Sequence, residues 1–128
     1  MVDVNGRWAF ITGASRGIGY LSALYLAQKG CNLILHSRES GHCEKILREV
    51  RAAGVEAHAV AAELSDTDAV LDMLRQIDSF GVRVDIVLNN AGLQIAYRPN
   101  PFETPASDYT KSLLVNTVAP MMITYHFM

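Results

Sequence analysis

The eight residues Thr12–Gly19, TGASRGIG, decide the fold of this chain. They follow a short apolar run, Trp8–Ile11, and precede an apolar pattern with helical spacing, so the glycines lie where a strand turns into a helix. Gly13 and Gly17 lack a Cβ, which allows unusual backbone angles and lets an anion approach the N–H groups at the start of the helix. The stretch, with its GxxxGxG spacing, therefore predicts a phosphate-binding turn.

Length and composition indicate one globular domain. The chain has 128 residues, 50% of them hydrophobic, which is enough for a single core. The net charge of -2 comes from interspersed acidic and basic residues, so no nucleic-acid or membrane-surface partner is expected. Cys31 and Cys43 are too few for a disulfide framework or a zinc site, and they predict reduced thiols in a cytoplasmic protein without a metal. The first residues lack the basic start and apolar segment of a secretory signal.

Strand-length apolar runs alternate with helical patterns along most of the chain. The strands are predicted at residues 7–12, 31–36, 55–61 and 84–88. The helices between them are expected to end at Gly30, Gly54 and Gly81. No hairpin signal separates the runs, which is typical of a parallel sheet with right-handed crossovers. The sequence therefore predicts an α/β fold.

Each of these three helices has an apolar face that is expected to contact the core. The predicted core residues are Ile18, Leu21, Leu24 and Tyr25 in the first helix, Ile46, Leu47, Val50 and Ala53 in the second, and Val70, Met73, Leu74 and Ile77 in the third. Ser65 or Asp66 is expected to cap the third helix.

A further, mostly apolar helix is predicted at residues 107–128. Asn116, Pro120 and His126 interrupt it, a pattern that does not fit a membrane span. Pro120 has no N–H, and its ring crowds the carbonyl of Asn116, four residues earlier. The helix is therefore expected to bend there and to leave that carbonyl available to water.

Ligands of parallel sheets bind at the carboxyl ends of the strands. In this chain the four strand ends are the glycine turn, Ser37-Arg38, Glu63-Leu64-Ser65 and Asn89–Gly92, which reads NNAG. All four are expected at one edge of the sheet. This edge is the predicted binding site.

The glycine turn, NNAG and Asn116 together resemble the short-chain dehydrogenase/reductase family, including its ketoacyl reductases, over essentially the whole chain. The resemblance implies a Rossmann-type doubly wound parallel sheet, of which residues 1–128 would form the first half, with strand order 3-2-1-4 and a long C-terminal helix. It also implies hydride transfer between a nicotinamide cofactor and a small carbonyl or alcohol substrate. Residues 1–128 are expected to be a single dinucleotide-binding domain, incomplete at its C-terminus.

The resemblance also assigns the residues that contact the cofactor. The pyrophosphate and the neighbouring ribose would lie against Gly13, Ser15, Arg16, Gly17, Ile18 and Gly19. Glu63, with Leu64 beside it, stands where the family usually has an aspartate that meets the adenine. The nicotinamide ribose would lie against Asn90, Ala91 and Gly92. Simple turns remain the alternative interpretation of these glycines and asparagines.

Two more asparagines receive roles from the resemblance. Asn89 is expected to brace the strand ends by bonding toward Thr12. Asn116 is expected to hold a water in a proton relay. A structural hydrogen bond of a buried side chain is the alternative for Asn116.

The end of the second strand predicts NADP(H). Ser37 stands where an acid would bind a free 2′-hydroxyl, and Arg38 follows it. Arg16 can reach the same place, so two guanidiniums would meet a 2′-phosphate. Glu39 is the alternative, because it lies twenty residues after Gly19 and would bind a ribose hydroxyl instead.

The catalytic serine, tyrosine and lysine of the family normally follow the position of Asn116, and the 128 residues do not contain them there. Tyr25–Lys29 does spell YxxxK, but it lies in the first helix with Tyr25 expected on the core face, away from any substrate. The chain alone is therefore expected to be inactive. A four-strand sheet would also expose its fourth strand, which predicts a homo-oligomer or association with a C-terminal half. The alternative function is a non-catalytic dinucleotide-binding or assembly module.

Overall fold

The structure, a computed structural model, describes residues 1–128. Four parallel strands form one sheet of order β3-β2-β1-β4. The strands are β1 (Trp8–Ile11), β2 (Asn32–Ser37), β3 (Ala57–Ala61) and β4 (Val84–Leu88). Each begins and ends within two residues of its predicted run. The predicted α/β class and strand order are confirmed.

Five α-helices surround the sheet. They are α1 (Gly17–Gln28), α2 (Glu44–Ala52), α3 (Thr67–Ser79), α4 (Ala106–Leu113) and α5 (Ala119–Phe127). A short 3-10 turn, Pro101–Glu103, precedes α4, and a π-helical segment, Leu114–Val118, joins α4 to α5. None of these helices combines the length and the hydropathy that crossing a membrane requires.

Apolar cores lie on both faces of the sheet. Phe10 and Ile34 pack with α3 and α5 on one face. Ile11 and Leu35, one residue further along β1 and β2, pack with α1 and α2 on the other. Successive side chains of a strand point to opposite faces, so a continuous apolar run is what a sheet covered on both faces requires.

The third helix agrees with its sequence pattern in full. The predicted core residues are buried, namely Val70, Met73, Leu74 and Ile77. Asp66 is the capping residue, since its carboxylate accepts from the N–H groups of Asp68 and Ala69. Satisfying N–H groups that have no partner within the helix is the physical basis of this preference. The first three helices each end two residues before the predicted glycine.

The predicted core face of α1 is wrong except at Leu24, which is half-buried against the core. Ile18, Leu21 and Tyr25 are 73%, 65% and 59% exposed. The buried residues are Gly19, Ala23 and Ala27, spaced four apart. This stripe of small residues lets the helix axis approach the sheet closely, which leaves the larger apolar side chains on the outer side.

The predictions for α2 and for the C-terminal helical region differ from the structure in smaller ways. Ala53, a predicted core residue, is exposed just after the end of α2. The C-terminal helical region has the predicted extent, and a π-helical segment, Leu114–Val118, ends two residues before Pro120. There the N–H of Ala119 donates to the carbonyl of Leu114, five residues earlier. Such widened turns occur frequently at functional sites.

Candidate dinucleotide-binding site

A cavity of about 610 Å³ opens at the carboxyl ends of the four strands. This volume lies within the range of small-molecule sites. Most of the predicted site residues line it, namely Gly13, Ser15, Arg16, Gly17, Ser37, Arg38, Glu63, Leu64, Asn90, Ala91 and Gly92. Ile18, Gly19 and Asn116 are not among the lining residues. The sheet edge predicted from the sequence is therefore the place where these residues meet.

The glycine turn has the unusual backbone angles that the sequence predicts. Gly13 and Gly17 have φ values of 64° and 62°. A Cβ on Gly13 would lie 3.1 Å from the Cα of Ala91, whereas a Cβ on Gly17 would meet nothing within 4 Å. Gly13 is therefore constrained by both space and backbone angle. Gly17 is constrained by backbone angle alone and leaves an open surface beside Ser15 and Arg16.

Gly19 allows α1 to pack closely against the glycine turn. A Cβ at this position would lie 2.2 Å from the carbonyl oxygen of Gly13 and 2.6 Å from Nδ2 of Asn90. The start of α1 can therefore sit against the turn only because residue 19 has no side chain. The side chain of the neighbouring Ile18 is exposed to solvent and does not line the cavity.

Thr12 and Asn90 tie the end of β4 to the end of β1. The Thr12 hydroxyl accepts from the N–H groups of Asn90 and Ala91, both at 3.0 Å. Nδ2 of Asn90 donates to the carbonyl oxygens of Thr12 and Gly13, both at 3.1 Å. These four bonds hold the turn from the β4 side.

The brace is Asn90 and not Asn89, which corrects the sequence-based prediction. Nδ2 of Asn89 donates to the hydroxyl of Thr124 in α5, at 3.1 Å. The alternation of side chains along extended backbone gives the reason, since neighbouring asparagines must face different sides.

His36 is a site residue that sequence reasoning missed. The residue is 2% exposed and lies next to the last residue of β2. Nδ1 accepts from the N–H of Gly13 at 3.1 Å, and Nε2 lies 2.8 Å from the carbonyl oxygen of Ala62. Burial lowers the pKa of this imidazole, against smaller opposing effects of Ala62 and the Glu63 carboxylate. The available signal was a polar residue inside an apolar strand, directly before Ser37.

The turn after β2 presents a cation to the cavity. The buried Ser37 hydroxyl donates to the carbonyl oxygen of Glu39 at 2.8 Å, which fixes the turn. The Glu39 carboxylate lies 3.9 Å from Nη2 of Arg38 and 3.4 Å from Nε2 of His42. Arg38 and His42 line the cavity, whereas Glu39 does not.

Glu63 lines the cavity, and one oxygen of its carboxylate accepts hydrogen bonds from Ser65. Oε1 accepts from the hydroxyl of Ser65 at 2.9 Å and from its N–H at 3.3 Å. The remaining oxygen is the part of the group that is available to a ligand.

Asn116 holds the loop that follows NNAG. Its Oδ1 accepts from the N–H of Leu93, and its Nδ2 donates to the Leu93 carbonyl, both at 2.7 Å. Nδ2 also donates to the hydroxyl of Ser112 at 3.1 Å. The side chain is therefore occupied by hydrogen bonds to the main chain of Leu93 and to the hydroxyl of Ser112. Lys111 and Val115, which sequence reasoning did not identify, line the cavity next to Leu93.

Positive charge predominates around the cavity. Arg16, Arg38 and Lys111 line it, with Glu63 as the single carboxylate. The whole chain, by contrast, has a net charge of -2. A local excess of cations next to a glycine turn suits a ligand with several negative charges.

A parallel sheet with a glycine turn and a cationic cavity at its strand ends is the arrangement found in dinucleotide-binding α/β folds. Residues 7–128 match the family model described as short chain dehydrogenase. The chain therefore belongs to the short-chain dehydrogenase/reductase family.

Relatives agree with this membership. A 3-oxoacyl-(acyl-carrier-protein) reductase from Staphylococcus epidermidis is 38% identical over 86 residues, which are 66% of this chain and 35% of that protein. The structure of a metagenomic short-chain oxidoreductase in complex with NADP is 31% identical with a TM-score of 0.90, and the match covers 98% of this chain and 56% of the other. The structure of NAD+-bound xylitol dehydrogenase is 29% identical with a TM-score of 0.86, covering 98% and 48%. The chain thus spans about a third to just over half of the length of these relatives.

Proposed function

We propose that this chain is the NADP(H)-binding part of a short-chain dehydrogenase/reductase that transfers a hydride between NADPH and a carbonyl or alcohol substrate. The observation that carries the proposal is the cavity at the strand ends, where an open glycine turn meets the guanidinium groups of Arg16 and Arg38. The family membership supports the reaction class.

The residues of the cavity fit a dinucleotide. Gly17 leaves an open surface at the start of α1, where the N–H groups of a helix favour a phosphate. Ser15 and Arg16 would hold the pyrophosphate there, with Glu63 and Leu64 beside the adenine. Asn90, Ala91 and Gly92 would border the nicotinamide ribose. When bound, the cofactor supplies the hydride.

The charges at the end of β2 favour NADP over NAD. Ser37 stands where an acid would hold a free 2′-hydroxyl, and it offers a neutral hydroxyl that donates to the Glu39 carbonyl in place of a carboxylate. The Glu39 carboxylate lies between Arg38 and His42, outside the cavity lining. Arg38 and Arg16 would therefore meet a 2′-phosphate with charge-assisted hydrogen bonds.

Asn116 would contribute to proton transfer through its main chain. Its side chain is held by Leu93, so the main-chain carbonyl would be the group that binds a water. The residue four positions later is Pro120, which has no N–H to donate in an α-helix. The π-helical segment around Asn116 is consistent with this use.

The chemistry would need residues from a further segment. The only YxxxK sequence here is Tyr25–Lys29, and Tyr25 lies on the outer side of α1, outside the cavity lining. The exposed apolar side chains of α1 and of α4–α5 would be covered by that segment or by a second copy of the chain. They are Ile18, Leu21, Leu113, Met121 and Tyr125.

Calorimetric titration of NADPH and NADH tests the proposal. The wild-type chain is expected to bind NADPH more tightly than NADH. Arg38→Gln is expected to weaken NADPH binding about tenfold, the size of one charge-assisted hydrogen bond, and to leave NADH binding unchanged. Arg48→Gln, on the exposed side of α2 outside the cavity, is the matched control.

Three results would count against the proposal. A wild-type chain that binds neither cofactor contradicts the binding function. An Arg38→Gln variant that keeps its preference for NADPH contradicts the cofactor assignment. Reduction of a ketone by this chain alone contradicts the need for a further segment.

A further inference from the structure

His36 holds the glycine turn from the side opposite to Asn90. Nδ1 of His36 accepts from the N–H of Gly13, and Nδ2 of Asn90 donates to the carbonyl of the same residue. The carbonyl of His36 also accepts from the N–H of Ala14, at 2.9 Å. Both main-chain groups of Gly13 are therefore fixed by side chains from neighbouring strands.

The same ring connects three strand ends. Nδ1 faces the turn after β1, and Nε2 faces the carbonyl of Ala62 just after β3. Because a carbonyl oxygen can only accept, the ring must carry its proton on Nε2, and Nδ1 is left as the acceptor that Gly13 needs. The imidazole ring therefore accepts from Gly13 on one side and donates to Ala62 on the other. The shorter amide side chains cannot make both hydrogen bonds at once.

We propose that His36 is a positioning residue for the cofactor, whose neutral, Nε2-protonated ring sets the backbone of the glycine turn. The cofactor part of this inference rests on the proposed NADP(H) function. Protonation of His36 would place a donor against the N–H of Gly13 and release the turn. Binding of NADPH would then weaken as the pH falls.

Burial supports the neutral state. His36 is 2% exposed, and desolvation lowers its pKa. Five charged or titratable side chains share the cavity with it: Arg16 from the turn, Arg38 and His42 from the segment after β2, Glu63 from the end of β3, and Lys111 from α4. Of these, the Glu63 carboxylate raises the pKa of His36, by less than burial lowers it.

Three variants separate the two hydrogen bonds of the ring. His36→Asn keeps an acceptor near the position of Nδ1, His36→Gln keeps a donor near Nε2, and His36→Leu keeps neither. We expect NADPH affinity within about threefold of wild type for His36→Asn at pH 8, and a loss of about tenfold for the other two, as expected for one hydrogen bond. A purely structural role would instead give the Asn and Gln variants similar affinities once their stabilities are matched.

The pH profile adds a second readout. Wild-type NADPH affinity is expected to fall between pH 8 and pH 5.5 more steeply than that of His36→Asn. Both proteins retain His42, Glu63 and the 2′-phosphate of the ligand, so the difference between the two profiles isolates His36. Parallel profiles overturn the proposal.

Nitrogen-15 NMR of the chain without cofactor makes the result independent of NADPH. We expect a His36 ring protonated at Nε2 and a Gly13 amide signal that titrates with the same midpoint. A ring protonated at Nδ1, or a Gly13 amide that does not follow the titration, overturns the role of His36 even if NADPH binds. Wild-type protein that binds no NADPH contradicts the proposed function and the cofactor part of this inference, while the NMR result still decides whether His36 sets the turn.

Discussion

The two ends of the cavity are built in different ways. At the glycine-turn end, hydrogen bonds from Thr12, His36 and Asn90 fix the main chain where β1, β2, β3 and β4 end. At the α4 end, the wall is a helix and a loop joined by the side chain of Asn116. The first end is built from strand termini, whereas the second is held by loop-to-helix contacts of Asn116 with Leu93 and of Arg98 with Asp108.

Exposed apolar side chains lie at both ends of the cavity. Behind the glycine turn, the small residues of α1 are buried against the sheet, while Ile18 and Leu21 on its outer side are exposed. Beyond the α4 end, Leu113, Met121 and Tyr125 are exposed. The glycine-turn end is thus held by hydrogen bonds among the strand ends, whereas the α4 end is held by contacts between a loop and a helix.

The change with the largest expected effect is Gly19→Ala, which alters the packing at the glycine-turn end. The added methyl group would lie 2.2 Å from the carbonyl oxygen of Gly13, so the turn or α1 must move. We expect a loss of about 3 kcal/mol in the free energy of unfolding, the upper range for overpacking, together with loss of NADPH binding. Urea denaturation and calorimetry measure the two effects.

Gly17→Ala is the control for this prediction. Its added methyl group meets nothing within 4 Å, so only the positive φ is unfavourable, at about 1 kcal/mol. Equal losses for the two variants would show that close approach at Gly19 is not what holds the turn.

Thr12→Val is expected to have the next largest effect. The variant keeps the shape of the side chain but removes the oxygen that accepts from the N–H groups of Asn90 and Ala91. Two part-buried donors without a partner should lower the free energy of unfolding by about 2 kcal/mol. Thr110→Val, at an exposed position of α4, should change it by less than about 0.5 kcal/mol. Similar urea midpoints for both variants would contradict a brace at Thr12.

The pH dependence of the free energy of unfolding tests the contribution of His36, which holds the glycine turn from β2. Because burial lowers the pKa of His36 below its ordinary value, the unfolded chain binds a proton at a pH where the folded chain does not. The contribution of His36 is therefore full above about pH 6.5 and decreases as the pH falls through that value toward the lowered pKa. We expect the urea midpoint of the wild type to fall over this range more than that of His36→Asn. A steeper fall in the variant would contradict a neutral, buried ring.

The sequence predicted the strands and the sheet edge because both follow from local patterns. Continuous apolar runs specify buried strands, and the carboxyl ends of parallel strands must meet at one edge. The third helix was predicted residue by residue, since Val70, Met73, Leu74 and Ile77 form one regular stripe beside a clear cap at Asp66. These features need no information about distant parts of the chain.

The errors occurred where distant parts of the chain decide the structure. The exposed stripe of α1 is more apolar than its buried stripe of small residues, so periodicity alone selects the wrong face. The partner of His36 is Gly13, 23 residues earlier, and the partner of Thr12 is Asn90 instead of its neighbour Asn89. Only the register of the strands brings these groups together.

The smallest effect is expected for Tyr25→Phe, which tests the YxxxK sequence directly. Tyr25 is 59% exposed on the outer side of α1, with Nζ of Lys29 5.5 Å from the centre of its ring. Phenylalanine keeps the ring, so NADPH binding should not change and the free energy of unfolding should stay within about 0.5 kcal/mol of wild type. Tyr20 on the same helix is the contrasting position, because its hydroxyl donates to the Glu49 carboxylate of α2, which raises the pKa of Tyr20 to about 12. Tyr20→Phe should therefore lower the urea midpoint more than Tyr25→Phe. A marked loss of NADPH binding in Tyr25→Phe would place this tyrosine in the site and contradict its assignment to the outer side of α1.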